Sequence, residues 1–526
     1  MFTRVKGTAP YRYLQIVDNH REGKRVAQRV ICTLGRVDEL VASGQTDALV
    51  RSLARFGDRV RVVDEYEKGN IEAKGIRQIG PDLAFGHLWK SSGITQVLKE
   101  LLKDRHFEFP VERAVYMSVL NRLFEPGSDR ACEKWKRDMV IPGSEGVELH
   151  HLYRAMRWLG DNHEKVEDGL FHVGRDLFSD FTLAFFDTTS IYFEGHGGSA
   201  RGGLGQRGHS KDHRPDLMQM VVGAVLTGEG RPVSCPMWAG NQTDVETLLP
   251  LVKEMKRRFG LKRVCWVADR GMASRKTIEG LEELEMEYIL GARMRRQKEV
   301  RDDVLGRAGR YKEVADNLQV KDVRVDGRRY IVCYNPEEAR KDAADREAIV
   351  KSLEDKLKES PGDLVGNRGY RRFLRVQKGS VILDPKKIEA DSRYDGKFVL
   401  RTNSDLGADE IAVQYKRLLM VEQFFRAAKS TLHTRPVFHQ WDATIKGHVF
   451  CSFLALVLMH ELKQRIKERG WELEWNDIWR DLQSLAEVEV LHGTQTYLLR
   501  TPVQGVAGKV LQAAGAAIPP SVRIMA

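Results

Sequence analysis

The sequence predicts an α/β fold. Two observations carry that expectation. Residues 181–186 and 264–268 are apolar, strand-like runs, and each ends on a lone carboxylate, Asp187 or Asp269. After Asp269 the pattern turns helical from Met272, with Ile278, Leu281 and Leu284 on one face. In α/β sheets the chemistry sits where loops leave the carboxyl ends of strands. The composition agrees, with 30% charged and 42% hydrophobic residues in 526, enough for three or four domains of ~150 each.

Residues 1–65 read as a small β-rich module. Tyr11–Val17 alternates, Arg21-Glu22-Gly23-Lys24 turns, and Arg25 to Leu34 returns as a second strand. Arg4, Lys6, Arg12, Arg21, Lys24, Arg25 and Arg29 make it basic, which suits phosphate contact and equally an ordinary charged hairpin. Glu65 to Gly80, rich in Glu, Lys and Gly, reads as a linker. Residues 81–178 are mostly helical. Ile94, Val97, Leu98, Leu101 and Leu102 form one stripe, Val111 to Phe124 another helix ended by Glu125-Pro126-Gly127-Ser128, and Leu152 to Leu159 begins a third with Arg154 and Arg157 exposed.

In the strand 181–187 a lone carboxylate follows four apolar residues, so it needs a cation, a metal or hydrogen bonds. An Asp that only caps a turn is the plain alternative. Thr188, Thr189 and Ser190 are expected to turn the chain, with Ile191 to Phe193 starting a neighbouring strand. Gly195 to Asp216 is a Gly-rich basic loop carrying Arg201, Arg207, His209, Lys211, His213 and Arg214. Its Gly203–Gly208 stretch matches a dinucleotide fingerprint, but no helix follows, so phosphate contact from a loop fits better. Leu217 to Leu226 is the next strand.

Residues 294–396 mix strands (Asp322 to Tyr334) with a charged helix from Asp342 to Lys358, then Gly362 to Arg375, where Arg368, Arg371 and Arg372 are phosphate-contact candidates. Phe398 to Leu400 returns as a strand. Tyr415 to Lys429 reads as one helix that places Tyr415, Glu422, Arg426 and Lys429 on a shared face. A solvated Glu–Arg pair is the ordinary account of that spacing. The apolar run Val449 to Met459 is too short to span a bilayer and reads as a buried helix. Residues 467–526 show helix, strand and tail.

Asp187, Asp269 and Glu422 together suggest a metal site. Without metal each carboxylate pair at ~4 Å costs about 4 kcal/mol at an effective dielectric near 20. Two Mg²⁺ ions, with Mn²⁺ as a substitute, resolve the repulsion and suit phosphoryl displacement. The six scattered cysteines form no Cys-x-x-Cys and suggest neither a disulfide framework nor zinc. Net charge +11 and pI ≈ 9.2 favour a polyanionic partner.

The sequence resembles the DDE transposases of bacterial insertion sequences, in the branch marked by a Tyr–Arg–Glu–Lys helix. The resemblance rests on Phe186–Ser190, Gly208–Asp216, Gly240–Asp244, Val267–Gly271, Asp395–Phe398, Arg401–Asn403 and the Glu422 helix through His439. The family's Arg lies three residues after the Tyr, whereas here Leu418 holds that place and Arg417 precedes it. The resemblance implies an RNase H-like core, divided as 179–293 and 397–466, with an inserted β-rich domain at 294–396 and a helical DNA-end-binding domain at 81–178. It implies Asp187, Asp269 and Glu422 as catalytic metal ligands. Tyr415, Arg426, Lys429, Lys211, Arg214 and Arg270 are the expected DNA contacts. The expected partners are double-stranded DNA (transposon ends and target) and further copies of the chain, at least a dimer on DNA, with no membrane. A cytoplasmic, nucleoid-associated protein is expected. A structure-specific nuclease and a non-cutting DNA-binding derivative are the alternatives.

Overall fold

A computed structural model describes residues 1–22, 25–54, 66–174, 181–195, 197–198, 202–359, 372–377 and 380–525. The chain forms two compact units, one of residues 1–78, 484–504 and 518–526, the other of residues 79–483 and 505–517.

The first unit begins with the predicted basic module. Strands β1 (Phe2–Lys6), β2 (Tyr13–Glu22) and β3 (Arg25–Arg36) form an antiparallel sheet, followed by α1 (Val37–Ala42) and α2 (Gln45–Ala54). The stretch expected as a linker instead contains β4 (Ile71–Gln78). This strand finds its partner far away in sequence, in a sheet ordered β19-β18-β17-β4, where β17 is Ala486–His492, β18 Gln495–Arg500 and β19 Val522–Ile524. A lone strand bordered by Gly has no local signal, because its ladder partner is supplied by the other end of the chain.

The second unit opens with helices α3 (Gly80–Ser91), α4 (Ile94–Leu102), α5 (Val111–Phe124), α6 (Asp129–Trp135) and α7 (Leu149–Val173). The bounds of α5 are those its apolar run predicts, and Ser128 caps α6 by accepting from Ala131 N at 3.2 Å. Buried Glu112 accepts Trp89 Nε1 at 2.7 Å and pairs with Arg113 at 2.6 Å. Glu167 of α7 is buried too. It accepts Cys235 N at 2.7 Å, Ser234 Oγ at 3.0 Å and Arg258 at 3.0 Å. Its carboxyl is pushed up to about 7 by burial, with Arg258 opposing. The long helix α14 (Asp442–Glu468) is apolar over most of its length, and its most apolar window is 78% buried within the fold. It crosses α7 with backbones in contact. A Cβ on Gly160 would lie 1.8 Å from Ala443 O, and one on Gly447 would lie 1.9 Å from Met156 O.

The central sheet runs β11-β12-β13-β16-β10-β9-β5-β6-β7, with β8 also on β6. The strands are β5 (Leu183–Tyr192), β6 (Gln219–Thr227), β7 (Pro232–Ser234), β8 (Met237–Ala239), β9 (Cys265–Ala268), β10 (Glu287–Gly291), β11 (Lys312–Ala315), β12 (Leu318–Val325), β13 (Arg328–Tyr334) and β16 (Lys397–Thr402). β9 is parallel to both β5 and β10, while β6 and β16 are antiparallel neighbours. One face packs Ala184, Phe186, Trp266, Ala268 and Tyr288 against α8 (Leu248–Phe259) and α9 (Arg275–Glu283). The strands of residues 294–396 extend this same sheet through β13 and β16. That region also contains α10 (Pro336–Glu359), the hairpin of β14 (Leu374–Gln377) and β15 (Ser380–Leu383), and α11 (Pro385–Ser392). Arg368 and Arg371 lie outside the described residues, whereas Arg372 is exposed with its guanidinium 4.5 Å from the Phe373 ring. Lys24 and Arg201 are also outside them.

Two local expectations are corrected. Thr188-Ser190 does not turn. β5 continues straight through to Tyr192, paired with β6 along its length, as β-branched threonines favour. The single helix expected from Tyr415 to Lys429 is broken. α12 (Ala408–Lys416) stops, α13 (Leu419–Arg426) restarts, and a wider π-helical turn takes Ala427–Thr431. Arg417, at the break, leaves the helix face to donate to Gly228 O and to lie 5.9 Å from the Phe185 ring. The remaining helices are α15 (Trp475–Ser484) and α16 (Ala507–Ala514).

Candidate active site

The parallel pairing of β5 with β9 sets the site. Phe186 partners Ala268, so the next residues, Asp187 within β5 and Asp269 just past the end of β9, stand side by side. Phe186 and Ala268 face the α8–α9 core, and strand alternation sends both carboxylates to the opposite face. Arg417 covers Phe185 on that same face. β9 ends at Ala268 while β5 runs on, so Asp187 stands just past the end of its parallel neighbour. Its Oδ1 accepts the Thr188 N–H at 2.7 Å. Burial pushes the Asp187 carboxyl up to about 6. Lys211 and the Thr188 N–H oppose that rise, and Asp269 and Asp244 add to it.

Tyr415, on α12, donates its hydroxyl to Asp269 Oδ1 at 3.0 Å. Burial, and then Asp269, raise the phenol's pKa. The approach needs a residue without a side chain at position 291, since a Cβ on Gly291 would lie 2.6 Å from Tyr415 Oη and 2.9 Å from Arg270 N. The Phe398 ring stacks on Tyr415 at 5.8 Å.

Lys211 comes from the basic loop as expected, but it is already engaged. Its Nζ donates to Thr188 O at 2.8 Å and to Thr188 Oγ1 at 2.9 Å, and pairs with Asp244 at 3.0 Å. Thr188 Oγ1 donates to Asp244 Oδ1 at 2.6 Å. Asp244, at the end of the Gly240–Asp244 motif, is therefore a third acid beside Asp187 and Asp269.

The other expected residues divide by environment. Lys429 pairs with buried Asp212 at 2.8 Å, and Arg435 pairs with the same carboxylate. Arg214 is tied to Asp216 at 2.9 Å, with its guanidinium 5.6 Å from the Tyr192 ring. Arg270, Arg426 and Glu422 are exposed, and none of the three takes part in an ion pair among the described residues. Glu422 rides on α13, whose Val421 and Phe425 are buried and which packs on β5 and β6. Because the helix breaks before it, Glu422 does not share a continuous helical face with Tyr415.

The oxygen-only donor set and the mutual repulsion of Asp187 and Asp269 suit a hard divalent cation. The third ligand is not drawn in. Among the described residues no three His, Cys, Asp or Glu side chains are grouped to hold a metal ion.

Comparison with known proteins gives two family matches. Residues 2–67 match the IS1634 family transposase N-terminal domain, and residues 179–458 match the transposase DDE domain. No curated protein matches the sequence. Among solved structures, the cryo-EM structure of a piggyBac transposase synaptic complex with hairpin DNA aligns over 77% of this chain and 79% of that chain, at 10% identity and a TM-score of 0.36. The DDE-domain match alone spans more than half of the chain and includes both paired aspartates, Tyr415 and Glu422, so the protein belongs to the DDE transposases of insertion sequences.

Proposed function

We propose that the chain binds the terminal inverted repeats of its insertion sequence, cuts DNA there in a divalent-metal-dependent reaction, and joins the freed 3′-hydroxyl to target DNA. The observation that carries this reading is the side-by-side placement of Asp187 and Asp269 where β5 and β9 run parallel, on the face where Arg417 covers Phe185. The strand order β7-β6-β5-β9-β10, antiparallel across β5–β6–β7 and parallel from β5 through β9 to β10, supports an RNase H-like core.

Asp187 and Asp269 would hold metal between them, with Glu422 supplying the third carboxylate from α13. Two Mg²⁺ ions, or Mn²⁺, would provide the Lewis acidity that stabilises both the attacking and the leaving oxygen of an in-line displacement. The chain's own groups do the positioning. Tyr415 fixes the orientation of Asp269 through its hydroxyl. Lys211, held by Asp244 and Thr188, places an ammonium beside Asp187. Exposed Arg270 and Arg426 supply charge for DNA phosphates, and Arg214 adds to it from the basic loop. Lys429 would act on phosphate by exchanging Asp212 for it. Water or the 3′-hydroxyl serves as nucleophile in the two successive displacements. Cutting both ends together requires at least two copies on DNA, acting on the nucleoid in the cytoplasm.

The test is cleavage of a duplex carrying the element's terminal repeat, with Mg²⁺ or Mn²⁺, followed by a search for joined target product. Cutting at the repeat boundary with joined product is the expected result. Cutting without any joined product would replace transposition with a nuclease activity, and binding without cutting would leave only a DNA-binding protein.

A further inference from the structure

A pocket of about 590 Å³ adjoins Lys211, and two of its lining residues, Arg293 and Arg296, have no part in the reading above. His209 and Lys211 line one side, Asn241 and Asp244 another, and Arg293 and Arg296 a third. Its walls are pinned. Buried Gln219 donates through Nε2 to His209 O at 3.0 Å and to Gly240 O at 3.1 Å. The loops bearing His209 and Asn241 touch so closely that a Cβ on Gly208 would lie 2.0 Å from Gly240 O.

The charge within it is one-sided. Arg293 donates through Nε to Arg270 O at 3.2 Å and through Nη2 to Gly271 O at 3.1 Å. Both acceptors are neutral carbonyls, so the guanidinium keeps its charge and spare N–H donors. Arg296 is exposed and makes no ion pair among the described residues. The single acid in the lining, Asp244, already accepts from Thr188 and pairs with Lys211. Arg293 is moreover anchored to the two carbonyls that directly follow Asp269, and Lys211 to the residue that follows Asp187. A preformed cationic pocket tied to both catalytic loops fits a phosphate ester that lies next to the reacting one.

We propose that this pocket is a phosphodiester subsite that holds the DNA phosphate neighbouring the scissile one, with Arg293 and Arg296 as its ligands. The inference rests on the reading of Asp187 and Asp269 as the DNA-processing centre.

It is tested by binding alone. A labelled duplex carrying the terminal repeat is titrated by fluorescence anisotropy in a metal chelator, over a range of salt, with the wild type, Arg296→Gln, Arg293→Gln, and Arg257→Gln as a charge-matched control. Arg257 is exposed on α8 and outside the pocket lining. Arg296→Gln is expected to weaken binding several-fold and to lower the slope of log affinity against log salt by about 0.9, the value for one lost phosphate contact. Arg257→Gln should change neither. Arg293→Gln should match Arg296→Gln, and if it unfolds because Gly271 loses its anchor, the exposed Arg296 variant still decides. Wild-type affinity and slope in Arg296→Gln overturn the subsite while leaving the proposed function standing. A wild type that binds no duplex overturns both.

Discussion

Tyr415 reaches Asp269 only because position 291 lacks a side chain. The 3.0 Å hydrogen bond passes over Gly291, where a Cβ would sit 2.6 Å from the phenolic oxygen. A hydrogen bond to a charged group contributes about 1.5–3 kcal/mol. Tyr415→Phe is therefore expected to slow cleavage roughly 10- to 100-fold. Gly291→Ala should reproduce that loss while keeping Tyr415. Single-turnover cleavage rates, with circular dichroism confirming the fold, check both, and full activity in Gly291→Ala would show that the contact does not orient Asp269.

The three carboxylates differ in how they stand, yet their loss should have one outcome. Asp187→Asn, Asp269→Asn and Glu422→Gln are each expected to lower cleavage on the order of a thousandfold or more, as removal of several kcal/mol of charge stabilisation demands. DNA binding should persist in all three. The exposed Glu422 makes the sharpest case, because Glu422→Gln should leave the unfolding temperature unchanged. Normal cutting by that variant would remove Glu422 from the site.

Lys429 has a structural duty before any contact with DNA. It and Arg435 together neutralise Asp212, whose side chain is only 8% exposed. Removing one partner of a buried pair typically costs about 3–5 kcal/mol, and here Arg435 retains part of that. Lys429→Ala should thus lower stability by about 2 kcal/mol in denaturant titration. A loss of DNA binding in Lys429→Ala without any loss of stability would mean that the lysine is free for phosphate from the start.

Glu167 makes stability depend on pH. Its folded carboxyl sits at about 7 against an ordinary 4.5, so between those values the unfolded chain gives up its proton and the folded chain keeps it. Stability should therefore fall as pH rises through that window, by about 3 kcal/mol from this group. Glu167→Gln removes the slope, so its deficit relative to wild type should be largest near pH 5 and smallest near pH 8. Urea midpoints at the two pH values check this, and an equal gap at both would show that Glu167 does not titrate there.

How far the sequence disclosed the site follows from the range of each interaction. The adjacency of Asp187 and Asp269 was suggested because each ends an apolar run, a signal contained within about six residues. The α5 boundaries were legible for the same local reason. Asp244 was not, since its partners Thr188 and Lys211 come from distant segments. The break before Glu422 was hidden because Leu418, Val421 and Phe425 preserve helical spacing across it, while the cause, Arg417 turning to Gly228 and Phe185, is tertiary. The full length of β5 was hidden because a Thr-Thr-Ser run resembles a turn, and its strand partners come from β6, much later in the chain.

The crossing of α7 and α14 has a consequence for inheritance. At Gly160 and Gly447 each helix occupies the space that the other's first side-chain carbon would need. A change at either glycine cannot be rescued by a smaller residue at the other, for none exists. Descendants of this sequence can keep both positions or abandon the crossing, and with it the seat of α14 against the helical half of the unit. Two sites far apart along the gene thus behave as one heritable character, fixed together or lost together.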